Sequence, residues 1–281
     1  MSCENDGPRG FFDVRAEMLN AVAARRVTAS IVAGDAGVVS GVAPARREIA
    51  RLELRLAMLA SEGELVQRGA EVARFVGSAK AIMAAEETVI GLLAKASGIA
   101  TSALRFVDAT GARPLITCSA WKKMPPSLKD LVRAAVKAGG ASPHLTTSES
   151  FAYLDQTYVR LAGGIRQGLA AVDHLHGLLK IIQLTGRSGD IASEACEAAE
   201  AGAGIIFIDS GNMQDIPRVS GTLRCRGLRE KARLAFGGGI ALEDIYLLRD
   251  LDVDVLDIGR PIADAPLLDM KLELIDVEQG S

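Results

Sequence analysis

The sequence predicts an α/β protein in which a parallel sheet, ringed by helices, closes or nearly closes into a barrel behind a smaller α+β unit. Beyond residue 98 the chain repeats a short apolar run, a turn and a helical stretch, the alternation that builds parallel sheets with helices outside. Before that point, short β-branched runs broken by glycine surround one helical segment, as antiparallel strands and tight turns do. A chain of 281 residues with 49% hydrophobic and 24% charged side chains has material for one sizeable core, or for one core and a smaller companion.

In chain order, "VTASIVAGDAGVVSGVA" (27–43) reads as strands punctuated by Gly34, Gly37 and Gly41, and "ARREIARLELRLAML" (45–59) as a helix. "EGELVQRGAEVARFVGS" (62–78) reads as a strand pair. "SAKAIMAAEETVIGLLAKASG" (78–98) recovers helical spacing through Ile82, Val89, Leu92, Leu93 and Ala96, with Gly98 as its expected C-cap. Barrel strands are expected at 114–118, 179–184, 204–209, 233–236 and 253–259.

Composition excludes several function classes. A net charge of −3 and 4% aromatic residues offer neither the field nor the stacking surface that nucleic acid requires. The four cysteines, Cys3, Cys118, Cys196 and Cys225, show no C-x-x-C spacing and point to a reducing cytoplasm. The amino terminus lacks a basic start and an apolar run, and no stretch approaches the about 20 apolar residues of a membrane helix, so neither secretion nor membrane insertion is expected.

In a barrel of this kind chemistry sits at the carboxyl ends of the strands, and phosphate commonly binds at the last two strand-to-helix loops. Those loops here are "FGGGI" (236–240) and "DIGRP" (257–261), which bring Gly237, Gly238, Gly239, Gly259 and Arg260 to one rim. Bare amides ahead of a helix suit an oxyanion; the alternative is that the glycines only turn the chain. Asp209, ending "GIIFID", either holds a hydrated Mg²⁺ that bridges phosphate oxygens or caps the helix that follows. "AWKKMPPSLK" (120–129) sets Lys122 and Lys123 on a proline-stiffened loop after a strand, placed for anion capture at the same mouth. Trp121 either stacks on a ring or belongs to core or a subunit contact. His144 either acts on substrate or bonds locally. His174 and His176 lack a third ligand nearby and read as a surface loop. Cys118, with no placed base, reads as a small buried filler.

"AEETVIGLLAKASGIAT" (85–101), "AWKKMPPSLKDLVRAAVKAGGASPH" (120–144), "AGAGIIFIDSGNM" (201–213) and "FGGGIALEDI" (236–245) resemble successive blocks of the quinolinate phosphoribosyltransferase family, in order and at similar spacing. "SGIAT", "GGASPH" and the following "SE" look closest to the ModD branch, whose members are associated with molybdate transport. The resemblance implies an N-terminal α/β sandwich domain over 11–98, an incomplete (β/α) TIM-like barrel over 99–275, and a homodimer or higher assembly with shared active sites. It also implies transfer from phosphoribosyl pyrophosphate to a pyridine carboxylate with Mg²⁺, in NAD synthesis.

Residue by residue, Lys122 and Lys123 match an Arg-Lys pair of the family, His144 a family histidine, Asp209 an acidic residue near the metal, and Gly238, Gly239 and Gly259 the phosphate loops. Several positions depart from the pattern. Leu145 stands in place of an arginine, and Glu86-Glu87 in place of a Glu-Arg pair. A second metal-side glutamate falls near Ser188, with Arg187 and Asp190 as local substitutes, and a lysine has no counterpart around "FAYLDQTYV". These changes predict an altered acceptor. The alternative is an anion- or nucleotide-binding protein without phosphoribosyl transfer.

Overall fold

The computed structural model describes residues 18–278 apart from 24, 112, 148, 149 and 188, so the position of Ser188 lies outside the described residues. The chain begins with β1 (Arg26–Ala33), β2 (Gly37–Val38), α1 (Val42–Arg51), β3 (Arg55–Leu59), β4 (Leu65–Val66) and β5 (Glu71–Ser78). Alternate residues of β1, namely Val27, Ala29, Ile31 and Ala33, are buried against Ala45 and Ile49 of α1, which makes a two-layer unit of sheet and helix. The sequence predicts one helix over 45–59. Instead α1 stops at Arg51, Glu53 takes a positive φ of 56°, and Arg55–Leu59 pairs antiparallel with β5. Strand pairing at the sheet edge overrides the local helical pattern.

The sheet of this unit has the order β12-β1-β5-β3, where β12 (Met270–Val277) is the last strand of the chain and pairs antiparallel with β1. Residues 270–275, expected from sequence to belong to the barrel, therefore complete the N-terminal sheet. The two units share a second element, the 32-residue helix α2 (Ala79–Thr110). Ser78 caps it, its hydroxyl accepting from the Ala81 amide at 3.2 Å. Ile82, Ala85, Val89 and Leu93 pack on the N-terminal sheet, and Ile99, Ala103 and Phe106 on the barrel.

The predicted stop at Gly98 is corrected: the helix runs on through it. A Cβ on Gly98 would lie 1.9 Å from the Pro266 carbonyl oxygen, so glycine stands there to let the returning chain cross, not to end the helix. By length and composition α2 also satisfies the test for a membrane span, contrary to the sequence expectation. Its apolar residues are buried in the two cores, which makes it a core helix.

The second unit is a six-stranded sheet of β6 (Leu115–Thr117), β7 (Phe151–Leu154), β8 (Leu179–Leu184), β9 (Ile205–Ile208), β10 (Arg233–Gly237) and β11 (Val255–Asp257). Its order is β6-β11-β10-β9-β8-β7, and every neighbouring pair is parallel. β6 and β7 form the two ends, with only a single bridge from Thr117 to Ser142 beyond β6. Among the described residues the barrel is thus incomplete, and the fold is the predicted α/β barrel with a smaller N-terminal domain. Around it lie α3 (Lys129–Ala138), α4 (Gln156–Ala162), α5 (Ile165–Ala171), α6 (Ile191–Glu200), α7 (Asp215–Cys225), α8 (Ile245–Leu248) and α9 (Arg260–Ala263). β7 is absent from the sequence expectation.

Strand alternation divides the side chains cleanly. Ile182, Leu184, Ile206, Ile208, Leu234, Phe236 and Leu256 face the helices. Ile181, Ile205, Phe207, Ala235 and Val255 form an inner cluster, joined by Leu115, Phe151 and Tyr153. Continuing the inner set two residues at a time brings Thr117, Gln183, Asp209, Gly237 and Asp257 to the carboxyl-end mouth.

The crossing at Gly98 predicts a contrast within one helix. Gly98→Ala should lower stability by about 1–3 kcal/mol through overpacking. Gly91→Ala, where a new Cβ meets nothing within 4 Å, should be neutral or stabilising by up to about 1 kcal/mol. Urea denaturation of the two variants measures both.

Candidate active site

At the mouth, Asp257 ties two strands to the lysine loop. Its Oδ1 accepts from the Thr117 hydroxyl and the Ser119 amide, both at 2.9 Å, and its Oδ2 accepts from the Ser119 hydroxyl at 2.6 Å. Burial raises its pKa, opposed by these bonds and by Lys122. Ser119 opens the 3₁₀ turn Ser119–Lys123, so the position of both lysines depends on this carboxylate.

Trp121 locks the other side of the turn, its Nε1 donating to the Pro143 carbonyl at 2.6 Å. The Arg133 guanidinium lies 4.7 Å from the Trp121 ring centre, and the His144 ring meets Trp121 edge-on at 5.4 Å. His144 also touches Phe151 at 5.2 Å. Burial, then the charges of Arg133, Lys137 and Lys122, push the His144 pKa down. Each of these causes favours the neutral imidazole.

Lys122 turns into the mouth, its ammonium 4.2 Å from the Tyr153 ring centre. Burial pulls its pKa down while Asp257, Asp155 and Asp209 pull it up. The Tyr153 hydroxyl is pushed well above its ordinary range by burial and the same three carboxylates. Lys123 is exposed beside Lys122, and its charge acts on that ammonium. Below the turn lies a cavity of about 140 Å³ whose walls include Trp121, Lys122, His144, Leu145, Phe151, Tyr153 and Ile181.

Asp209 follows β9. Its Oδ2 accepts from Gln183 Nε2 at 2.5 Å, and a Cβ on Gly238 would sit 3.6 Å from its Oδ1. The helix-cap reading of Asp209 fails, because α7 begins at Asp215 behind Gln214. The three carboxylates around Lys122 differ in spare capacity. Asp257 receives three donors, whereas Asp155, which caps α4 by accepting from the Tyr158 amide, and Asp209 each receive one. Asp209, which stands beside the Gly238 turn, could serve a hydrated divalent cation, which needs only one or two protein ligands.

The glycine turn leans on this residue. The Gly211 amide donates to the Gly237 carbonyl at 3.3 Å. At Gly238, with φ 111°, a Cβ would lie 2.7 Å from both N and Cα of Gly211, so no side chain fits. A Cβ on Gly239 or on Gly259 would meet nothing within 4 Å, and both glycines open to space at the mouth. Gly237 is glycine for another reason, since a Cβ would strike the Phe207 ring at 2.9 Å. The sequence predicts a helix opening directly after these glycines. Instead the turn of residues 241–244 intervenes, held by the Ala241 amide donating to the Asp244 carboxylate at 2.8 Å, and α8 is only four residues long. These glycines therefore do not begin a helix. Arg260, exposed, starts α9 beside Gly259.

Other candidates lie elsewhere or are otherwise engaged. Asp190 caps α6, accepting from the Ser193 amide at 3.1 Å and hydroxyl at 2.7 Å, and pairs with Arg218. Glu86 and Glu87 sit on the exposed side of α2. Cys118 is buried with its pKa pushed up to about 12, chiefly by burial, which supports the filler reading. Among the described residues no three His, Cys, Asp or Glu side chains cluster as a metal site, His174 and His176 included. Sequence reasoning passed over Ser119, Tyr153, Gln183 and Asp257. Their signal is the period-2 register that also carries Asp209.

The chain matches the model of the quinolinate phosphoribosyl transferase N-terminal domain over residues 13–97 and that of its C-terminal domain over 99–273. A "Probable nicotinate-nucleotide pyrophosphorylase", carboxylating, of Methanothermobacter thermautotrophicus is 30% identical over 267 residues, covering 94% of each chain. One of the same description from Archaeoglobus fulgidus is 28% identical over 258 residues, covering 92% of this chain and 98% of that one. Among solved structures, the nicotinate-nucleotide pyrophosphorylase of Francisella tularensis superposes with TM-score 0.78 at 20% identity, covering 95% of this chain and 91% of that one. That of Pyrococcus furiosus gives 0.76 at 23% identity, with 94% and 74% covered. At these identities the structural likeness speaks for the fold.

Two outcomes follow from the geometry. Asp257→Ala leaves the Ser119 amide and hydroxyl without their acceptor and should cost about 1–3 kcal/mol, measured by urea denaturation, with faster hydrogen exchange at the Ser119 amide. His144 should titrate below its ordinary 6.5 in proton NMR. Because the folded value is depressed, its contribution to stability is complete above the ordinary value and is lost as pH falls through the folded one.

Proposed function

We infer that this chain, which belongs to the quinolinate phosphoribosyl transferase family, is a pentosyltransferase joining a pyridine carboxylate to phosphoribosyl pyrophosphate, the nicotinate-nucleotide pyrophosphorylase reaction of NAD synthesis. The observation that carries this reading is the match along nearly the whole chain, including relatives named for that activity. The convergence of Lys122, Asp209, Gly239 and Gly259 on one barrel mouth supports it.

In this reaction the ring nitrogen forms a bond to C1 of the ribose as the C1–O bond to pyrophosphate breaks, and the electron pair leaves with pyrophosphate. With a 2,3-dicarboxylate the 2-carboxylate then departs as CO₂ and a proton takes its place. The backbone at Gly238, Gly239 and Gly259, with Arg260, takes phosphate oxygens, and Lys122 and Lys123 add positive charge across the mouth. Asp209 would hold Mg²⁺, whose charge neutralises the pyrophosphate as it leaves. His144, neutral and wedged between Trp121 and Phe151, shapes the ring site. A cytoplasmic homodimer with shared active sites belongs to the same proposal, and light scattering coupled to gel filtration tests the dimer.

Pyrophosphate release from phosphoribosyl pyrophosphate, Mg²⁺ and a panel of pyridine carboxylates tests the activity. Turnover is expected, and Asp209→Asn should lower kcat/KM by about 10²–10³-fold. Binding of molybdate or sulfate in calorimetry, with no pyrophosphate released across the panel, would instead favour the binding protein without transfer.

A further inference from the structure

The cavity beneath the lysine turn limits what kind of ring the site accepts. It lies where the barrel stays open, between the β6 loop and β7, and Leu145, Phe151 and Ile181 make its apolar surface. Leu145 is 3% exposed and packs on the inner cluster, so no polar atom reaches the cavity from that side chain. Tyr153 contributes a flat ring, covered on one face by the Lys122 ammonium. His144 adds a second ring and no charge at neutral pH.

Of the residues lining the cavity, Lys122 alone brings a positive charge. That charge is already shared with Asp257, Asp155 and Asp209. A guest with one carboxylate can set it at Lys122 and lay its ring along Tyr153. A second carboxylate on the same ring would enter the apolar wall this chain supplies, lose its water and meet no further cation among the residues lining the cavity, while three aspartates stand nearby.

We propose, on the transferase reading above, that the acceptor is a flat nitrogen heteroaromatic ring with a single carboxylate, held at Lys122 against Tyr153, and that nucleotide forms without loss of CO₂. The ring nitrogen lone pair makes the bond to C1, the pair of the C1–O bond leaves on pyrophosphate, and the ring becomes a pyridinium. No proton and no carbon are released. Leu145 is then a specificity-determining residue, because it withholds the second cation.

The test compares pyridine-3-carboxylate, pyridine-2,3-dicarboxylate and pyridine-3-carboxamide, each with phosphoribosyl pyrophosphate and Mg²⁺, reading pyrophosphate release and CO₂ from labelled dicarboxylate. The monocarboxylate should exceed both others at least tenfold in kcat/KM. Equal or better use of the dicarboxylate with stoichiometric CO₂ overturns the proposal and leaves the transferase reading standing, and preference for the carboxamide overturns it as well. If no ring turns over, the transferase reading fails, and calorimetry with the three rings decides separately: tightest binding of the monocarboxylate upholds the cavity argument, and any other order defeats it. Leu145→Arg should move selectivity at least tenfold toward the dicarboxylate. Lys122→Met, checked for an unchanged melting temperature, should abolish the preference for the monocarboxylate over the carboxamide.

Discussion

The site depends on one carboxylate that does not face the ligand as a free group. Asp257 ends an inner row of β11 and receives the Thr117 hydroxyl together with the amide and hydroxyl of Ser119. In a parallel sheet neighbouring strands are joined by backbone bonds, but loops beyond their ends are not. A half-buried acceptor with three donors extends the order of the sheet into the turn that carries Lys122 and Lys123. Trp121 completes the attachment through Pro143, so the turn is fixed at its start by charge and at its middle by an indole.

The same demand for attachment explains how the two domains stay in register. α2 contributes to both cores, and β12 brings the end of the chain back onto β1. The crossing of the returning chain over α2 requires contact closer than any side chain permits, and Gly98 supplies it. A helix shared between two cores cannot rotate relative to either without opening one of them. The barrel mouth is thereby held in fixed relation to the N-terminal sheet.

Most of the barrel was legible because buried parallel strands are short apolar runs between turns, as "LKIIQL" and "GIIFID" are. Asp209 and the open glycines were legible because they stand directly after such runs. β7 escaped because "FAYL" is four residues long with one fully buried side chain, too brief for periodicity. β3 was hidden inside a helical pattern whose outcome was decided by β5, a partner distant in sequence. Gly98 was misread because glycine at a helix stop and glycine at a helix crossing look alike until the other chain segment is placed. Asp257 and Gln183 needed only the register already used for Asp209, with the inner face followed around every strand.

On the proposed function, the carboxylates at the mouth limit how far lysine alone could hold a polyphosphate. Asp257, Asp155 and Asp209 oppose the pull of burial on Lys122, but the same three carboxylates repel an incoming polyanion. Asp257 is fully engaged by the lysine turn, and Asp155 gives one oxygen to the start of α4. Asp209 keeps acceptor capacity, and it stands against the Gly238 turn where phosphate would lie. On the proposed function, a divalent cation at Asp209 would turn that repulsion into attraction. On that reading the arrangement would favour a guest that brings its own metal over a bare oxyanion.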